Sequence, residues 1–137
     1  MRAVLDTNVL ISGVISTGVP HDVVVAGFEG KYQIVISVPT LTEFRDTLLK
    51  YPEKFNMDEE DIQTEVETVR YFAEFVDPEE DITAVEDDPD DDKFLEAAVA
   101  GNVDYIVTGD SHLLDIETYR GIKIVSPRTF YERLTDT

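Results

Sequence analysis

The sequence contains no cysteine and few basic residues, and each shortage excludes a class of function. Without cysteine there can be no disulfide, no thiolate nucleophile and no cysteine-based zinc site. Eleven Lys and Arg residues accompany thirty Asp and Glu residues, which gives a formal net charge of −19 and a pI near 4.1. Because phosphate binding normally depends on Lys and Arg, we do not expect strong, non-specific affinity for nucleic acid.

Long apolar runs are missing as well. No stretch approaches the ~20 apolar residues that cross a bilayer, and the N-terminus lacks the long apolar segment and cleavage site of a signal peptide. We therefore expect a cytoplasmic protein with no membrane partner. The chain also shows no Gly-rich phosphate loop and no Ser–His–Asp pattern, which disfavours P-loop enzymes and triad hydrolases.

What is present is enough for a folded domain. The 137 residues are 42% hydrophobic, which predicts one domain over residues 1–137 with a substantial core. The excess of acid over lysine is typical of an acidic, halophilic protein that stays soluble in a salty cytoplasm. The alternatives are a basic partner, or bound cations that neutralise part of the charge.

Predicted strands and helices alternate along the chain. The strands are expected at 2–5, 32–38, 105–108 and 122–125, and the helices at 7–16, 21–28, 40–50, 58–75, 92–100 and 128–134. This alternation predicts an α/β fold, a three-layer α/β/α sandwich with a central parallel sheet. Ligands of such sheets bind beyond the carboxyl ends of the strands.

Acidic residues from four separate segments reach that edge. Asp6 and Asp110 each follow a predicted strand, Glu43 lies one turn into the helix after the second strand, and the run 87–92 opens another helix. Converging carboxylates repel one another unless a cation joins them or some are protonated. Oxygen ligands without clustered His or Cys favour Mg²⁺ or Mn²⁺, which can promote phosphodiester cleavage.

Each of these residues also has a simpler interpretation. Asp6 could be only a helix N-cap, and Glu43 an ordinary surface residue of its helix. Asn8 and Thr108 are common cap or turn residues, and His112, at the start of a short helix, is interpreted as structural or incidental. Taken singly, no one of them indicates a function.

Four motifs together carry a resemblance to a known family. They are LDTNVLIS at 5–12, PTLTEFRDTL around Glu43, DPDDDKFLEAA at 88–98 and DYIVTGDSHLL at 104–114. In this order and spacing the chain resembles a PIN domain, and more narrowly the toxin ribonucleases of prokaryotic toxin–antitoxin pairs. The resemblance extends over nearly the whole chain. It implies a PIN-like sandwich fold and a metal-dependent ribonuclease.

The resemblance also implies the residues that act. The family's four acidic positions fall on Asp6, Glu43, Asp91 and Asp110. The three aspartates would hold the Mg²⁺ or Mn²⁺ ion directly or through water. Glu43 would ligate the ion or orient the attacking water.

The third acidic position is open between neighbours. Asp91 is preferred, Asp92 beside it comes next, and Asp88 could be an outer ligand or hold a second ion. Asn8 and Thr108 match the family's supporting polar residues and would orient the ligands by hydrogen bonds.

The function implied by the resemblance is endonucleolytic cleavage of single-stranded RNA. The expected partners are an RNA substrate, a small antitoxin protein and a second copy of the chain in a homodimer. Two alternatives stay open: a catalytically degenerate PIN fold that acts as a binding or regulatory partner, and a metal-dependent phosphatase-like enzyme. The phosphatase is disfavoured because Asp6-Thr7-Asn8 lacks the second acid of the Asp-x-Asp pattern.

Overall fold

A computed structural model describes residues 1–136, which form six strands and eight helices. In chain order these elements are β1 Arg2–Leu5, α1 Thr7–Ile15, α2 Val19–Phe28, β2 Gln33–Ile36, α3 Val38–Lys50, α4 Pro52–Phe55, α5 Glu59–Phe72, β3 Glu74–Phe75, α6 Asp92–Ala100, β4 Tyr105–Val107, α7 Ser111–Leu114, β5 Thr118–Tyr119, β6 Ile122–Val125 and α8 Pro127–Thr135. A 3₁₀ turn, Pro89–Asp91, leads directly into α6.

The strands form one sheet in the order β3-β2-β1-β4-β6-β5. All pairs are parallel except β5 with β6, which is antiparallel. In the central strand β1, Ala3 lies opposite Ile34 of β2 on one side and Tyr105 of β4 on the other. Because the chain continues from β1 to β2 on one side and reaches β4 on the other, a crevice opens at the carboxyl ends of β1 and β4.

The two faces of the sheet bury different helices. Ala3 and Leu5 face a core formed with α1, α2, α3, α5 and α8, whereas Val4 and Ile106 face a core formed mainly with α6. Successive residues of a strand point to opposite faces, so both faces are covered and the strands are apolar throughout. The predicted α/β/α sandwich with a mostly parallel central sheet is confirmed.

Each of the four central parallel strands is followed within three residues by the N-cap of a helix. The capping residues are Asp6 after β1, Ser37 after β2, Asp110 after β4 and Ser126 after β6, and the side chain of each accepts a backbone N–H of its helix. The caps therefore stand side by side at the carboxyl edge of the sheet. Two of them are the acids expected there.

The predicted elements match the observed ones with small shifts at their ends. Helix 92–100 and strand 122–125 have the predicted bounds. The helix predicted over 58–75 ends at Phe72, because the next residues pair with β2 as the edge strand β3. The four-residue α4 and the two-residue β5 were not predicted, since elements so short leave no periodic pattern.

Within residues 1–136 no single helix is long and apolar enough to cross a membrane. The pair α1 and α2 reaches that length and composition only as two helices bent by 93° at their junction.

We predict that Gly13→Ala destabilises the fold, because α1 and α2 meet too closely there for a side chain. An added Cβ would lie 2.3 Å from Val24 Cγ2 and 3.0 Å from the Pro20 carbonyl oxygen. Overpacking of this kind costs about 1–3 kcal/mol. Replacing glycine by alanine inside a helix gains only ~1 kcal/mol from the higher helix propensity of alanine, so the upper part of that range outweighs the gain. Urea denaturation measures the change. Gly109→Ala is the control, since its Cβ would meet no atom within 4 Å.

Candidate metal centre

Asp6 is the most buried acid at the carboxyl edge, with 4% of its surface exposed. As the N-cap of α1 it accepts the Val9 backbone N–H on Oδ1 at 2.8 Å, and its Oδ2 accepts the Thr108 hydroxyl. Burial raises the pKa of Asp6, and the hydrogen bonds from Thr108 and Val9 oppose that rise. The carboxylate is thus held rigidly at the end of the central strand.

Thr108 connects the ends of β1 and β4. Its side chain is fully buried, and its Oγ1 donates to Asp6 while it accepts the Asp110 backbone N–H at 2.9 Å. Asp110 in turn caps α7 by accepting the His112 backbone N–H on Oδ1 at 2.8 Å. A single hydroxyl therefore fixes the position of both acids relative to each other.

Asp91 lies against Asp110 at the end of the 3₁₀ turn. Burial first, and then the neighbouring Asp110, raises the pKa of Asp91 to about 8, while hydrogen bonding with Asp91 lowers the pKa of Asp110. At neutral pH the raised pKa favours the protonated form of Asp91 beside an ionised Asp110. The charges of Asp88 and Asp6 also act on Asp91, which places all four acids in one cluster.

Asp88, Asp110 and His112 form a second grouping at the rim. One ligand atom from each lies within 4.8 Å of the others, close enough to hold an ion among the described residues. His112 is exposed, and its Nδ1 is 3.7 Å from Asp110 Oδ1. Asp88 and Asp110 belong to both groupings, so the acidic cluster extends from buried Asp6 to this exposed rim.

Glu43 approaches from α3 and is engaged on both oxygens. Its Oε1 accepts the Thr7 hydroxyl at 2.7 Å, and its Oε2 contacts the Lys93 ammonium group. Lys93 also lies 3.2 Å from Asp90. Burial lowers the pKa of Lys93, but hydrogen bonds to Glu43 and Asp90 outweigh this effect and the pKa is raised overall. Glu43 therefore borders the cluster as half of an ion pair.

Asp92 has a different environment from Asp91. It is 7% exposed, and its Oδ1 accepts the backbone N–H groups of Ala84 at 3.0 Å and Val85 at 2.8 Å. These bonds attach the loop before the 3₁₀ turn to the start of α6. The interpretation of Asp92 as a metal ligand is not supported by these contacts, because its carboxylate is directed at the loop instead of the acidic cluster.

The two residues expected to support the acids, Thr108 and Asn8, have different environments. Thr108 makes the contacts expected of a residue that orients two acids. Asn8 is exposed in the first turn of α1, and Thr7 beside it makes the contact with Glu43. The contact with Glu43 thus comes from Thr7, and the orienting role expected of Asn8 stays a prediction.

The residues of the cluster fit a hard divalent cation. Oδ2 of Asp91 is buried and is the one such side-chain oxygen or nitrogen in residues 1–136 without a hydrogen-bond donor or acceptor. A buried carboxylate oxygen without a donor is costly, and a cation removes that cost. The available donors are carboxylate oxygens with one imidazole at the rim, a set that suits Mg²⁺ or Mn²⁺.

A comparison with protein-family models decides the family. The model described as "PIN domain" matches residues 2–112. The chain belongs to the PIN domain family. The match includes Asp6, Glu43, Asp91 and Asp110, the four acids at the carboxyl edge. A comparison with curated proteins gives no significant match.

PIN domains are generally metal-dependent nucleases, and this PIN domain has a candidate acidic metal centre where that activity would reside. Sequence reasoning missed three residues of the centre: Thr7, Lys93 and His112. Thr7 and Lys93 meet Glu43 only through the fold, since 36 and 50 residues separate them from it. The short sequence distance from Asp110 to His112 was the one available signal.

We predict that the metal-free PIN domain loses stability as the pH rises from about 5 to 8. The pKa of Asp91 is about 8 in the folded state against 3.8 for a free side chain, so the folded protein binds the extra proton in that interval. Stability therefore decreases with rising pH through this group. Thermal unfolding in EDTA across the interval measures the slope. Asp91→Asn should flatten it and raise the melting temperature at pH 8, and an unchanged slope would contradict the assignment.

We predict that Asp91→Asn weakens Mn²⁺ binding while Asp92→Asn leaves it within about twofold of wild type. Isothermal titration calorimetry compares the two neighbours directly. Asp92→Ala should instead lower the free energy of unfolding by about 1–3 kcal/mol, because it leaves two backbone N–H groups without their acceptor. Equal losses of Mn²⁺ affinity in both Asn variants would show that Asp92 is a ligand.

Proposed function

We propose that the protein is a Mg²⁺- or Mn²⁺-dependent endoribonuclease that cleaves single-stranded RNA. One observation carries the proposal: Asp6, Asp91 and Asp110 converge around a buried carboxylate oxygen that has no protein donor. A structural role would leave such a cluster destabilising, whereas a cation-binding role makes it favourable.

Asp91 and Asp110 would hold the ion, with Asp6 ligating it directly or through water. Asp88 and His112 would supply a further position toward solvent. When bound, the ion lowers the pKa of a water molecule and stabilises the charge that develops on the scissile phosphate.

The residues around the cluster determine orientation. Thr108 keeps Asp6 and Asp110 at a fixed spacing. Thr7 and Lys93 hold the Glu43 carboxylate at the border of the cluster, where it can accept a hydrogen bond from the attacking water and orient it.

The biological role that we propose is the toxin of a toxin–antitoxin pair. The resemblance of the four motifs, in their order and spacing, to such ribonucleases supports it. A small antitoxin would be the partner, and the active form would be a homodimer. Co-expression with the product of a small adjacent reading frame tests this role, since an antitoxin should relieve growth inhibition and co-purify with the chain.

We predict that Asp6→Asn and Asp110→Asn each lower cleavage of a single-stranded RNA by at least about 10³-fold in Mn²⁺, because each removes a charge from the ion's site. Gel electrophoresis of a labelled oligonucleotide at high salt measures the rate, and EDTA should abolish it. Asn can still cap a helix, so both variants should remain folded by circular dichroism.

Asp115→Asn is the matched control, since it removes an exposed acid near α7 that is outside the cluster. Wild-type rates in both Asp6→Asn and Asp110→Asn would refute the nuclease. A folded wild-type chain that neither binds Mn²⁺ nor cleaves RNA would point to a degenerate PIN fold that only binds a partner.

A further inference from the structure

An open cleft of about 340 Å³ leads away from the metal centre along α3. Its walls include Glu43 and Lys93, which border the centre, and Lys50, the last residue of α3. Seven positions of an α-helix separate Glu43 from Lys50, which corresponds to about 10 Å along the axis. The cleft is therefore continuous with the candidate catalytic site and extends beyond it by the length of a short piece of polymer.

Lysines are concentrated along this line. Lys93 lies at the near end of the cleft and Lys50 at its far end, and Lys54 follows four residues later in α4, so three of the five lysines in the chain line or adjoin the cleft. Among residues 1–136 neither Lys50 nor Lys54 forms a salt bridge. The acids of the cleft wall, by contrast, are paired: Asp46 contacts Arg45 at 3.1 Å, and Asp90 contacts Lys93.

Tyr51 follows Lys50 in the chain and so adjoins the far end of the cleft without lining it. Its side chain is 45% exposed at the junction of α3 and α4. The ammonium groups of Lys50 and Lys54 are 5.5 Å and 5.7 Å from the centre of its ring. An exposed aromatic ring beside two cations is a combination that binds single-stranded nucleic acid, in which a base stacks on the ring and the cations contact the backbone.

We propose that a single-stranded RNA substrate lies in this cleft, with one base stacked on Tyr51 and the adjacent phosphates contacted by Lys50 and Lys54. This proposal rests on the proposed ribonuclease function and adds the path of the strand and its anchoring residues. It also gives so acidic a protein a place to contact phosphates, because Lys50 and Lys54 form no salt bridge among residues 1–136 and lie where the strand would leave the catalytic site.

A single strand fits this arrangement better than a duplex. The bases of a duplex are stacked on one another and are not free to stack on Tyr51. Tyr71 differs from Tyr51, although it is 82% exposed. It lies on α5 beside Phe72, and within the described residues no cation contacts its ring as Lys50 contacts that of Tyr51. Exposure of an aromatic ring alone therefore does not define the binding surface.

The first experiment measures binding without cleavage. A fluorescein-labelled 12-nucleotide oligouridine is titrated with the full chain in EDTA, and anisotropy is followed at several KCl concentrations at which circular dichroism shows a folded protein. We expect Tyr51→Ala to weaken binding about tenfold and Tyr51→Phe to restore it, because the ring supplies the stacking. Tyr71→Ala should bind as wild type does.

The salt dependence separates the lysines from the tyrosine. Each phosphate contact to a single strand contributes about 0.7 to the slope of log affinity against log salt. Lys50→Ala and Lys54→Ala should each reduce the slope by about that amount, whereas Tyr51→Ala should leave it unchanged. Lys123→Ala is the matched control, because Lys123 is exposed in β6 at the opposite end of the sheet and also forms no salt bridge among residues 1–136.

Cleavage in Mn²⁺ distinguishes this proposal from the proposed function. If wild type cleaves RNA and Tyr51→Ala raises KM about tenfold with kcat nearly unchanged, both stand. If wild type cleaves but Tyr51→Ala matches Tyr71→Ala in affinity and KM, the path is wrong and the nuclease stands. Equal affinity for a 12-base-pair RNA duplex, or no binding of the oligouridine by wild type, would also overturn the path.

Discussion

The mutual repulsion of carboxylates at one end of the sheet is the constraint on which the rest of this structure depends. Parallel strands bring Asp6 and Asp110 to the same edge, and the 3₁₀ turn adds Asp91. The protein limits the repulsion in three ways: donors are directed at Asp6, the raised pKa of Asp91 favours its protonated form beside Asp110, and Lys93 is paired with Glu43. Each of these interactions involves only neighbouring groups. A bound cation would compensate the negative charge that they leave.

The same edge also supplies the ends of four helices. Asp6 and Asp110 are the N-caps at which α1 and α7 begin, so their positions are set by helix geometry as well as by packing. Partial positive charge at those helix starts adds to the stabilisation of the acids. The arrangement of the acids and the start of two helices therefore depend on the same side chains, which explains how a small domain can hold several acids rigidly.

Much of this could be predicted from the sequence, and the reason is geometric. A carboxylate just after a buried strand lies at the carboxyl edge of the sheet. Apolar patterning alone therefore predicts this position for Asp6 and Asp110. Asp91 and Asp92 could not be separated in that way. Successive residues at a helix start point about 100° apart, and the loop around Ala84 that receives Asp92 has no recognisable pattern. Contacts such as Lys93 with Glu43 join residues distant in sequence and depend on how α3 packs beside α6.

Asp6 has a negative charge and also accepts a hydrogen bond from the backbone of α1. That these two properties serve different purposes has an evolutionary consequence. The fold needs an acceptor at this position, whereas the reaction needs a negative charge, and Asn satisfies the first requirement without the second. A copy of such a gene can therefore lose its chemistry and keep its architecture through one side-chain change. Surfaces away from the acids would then be free to acquire new partners, so inactive descendants of this fold are physically easy to reach.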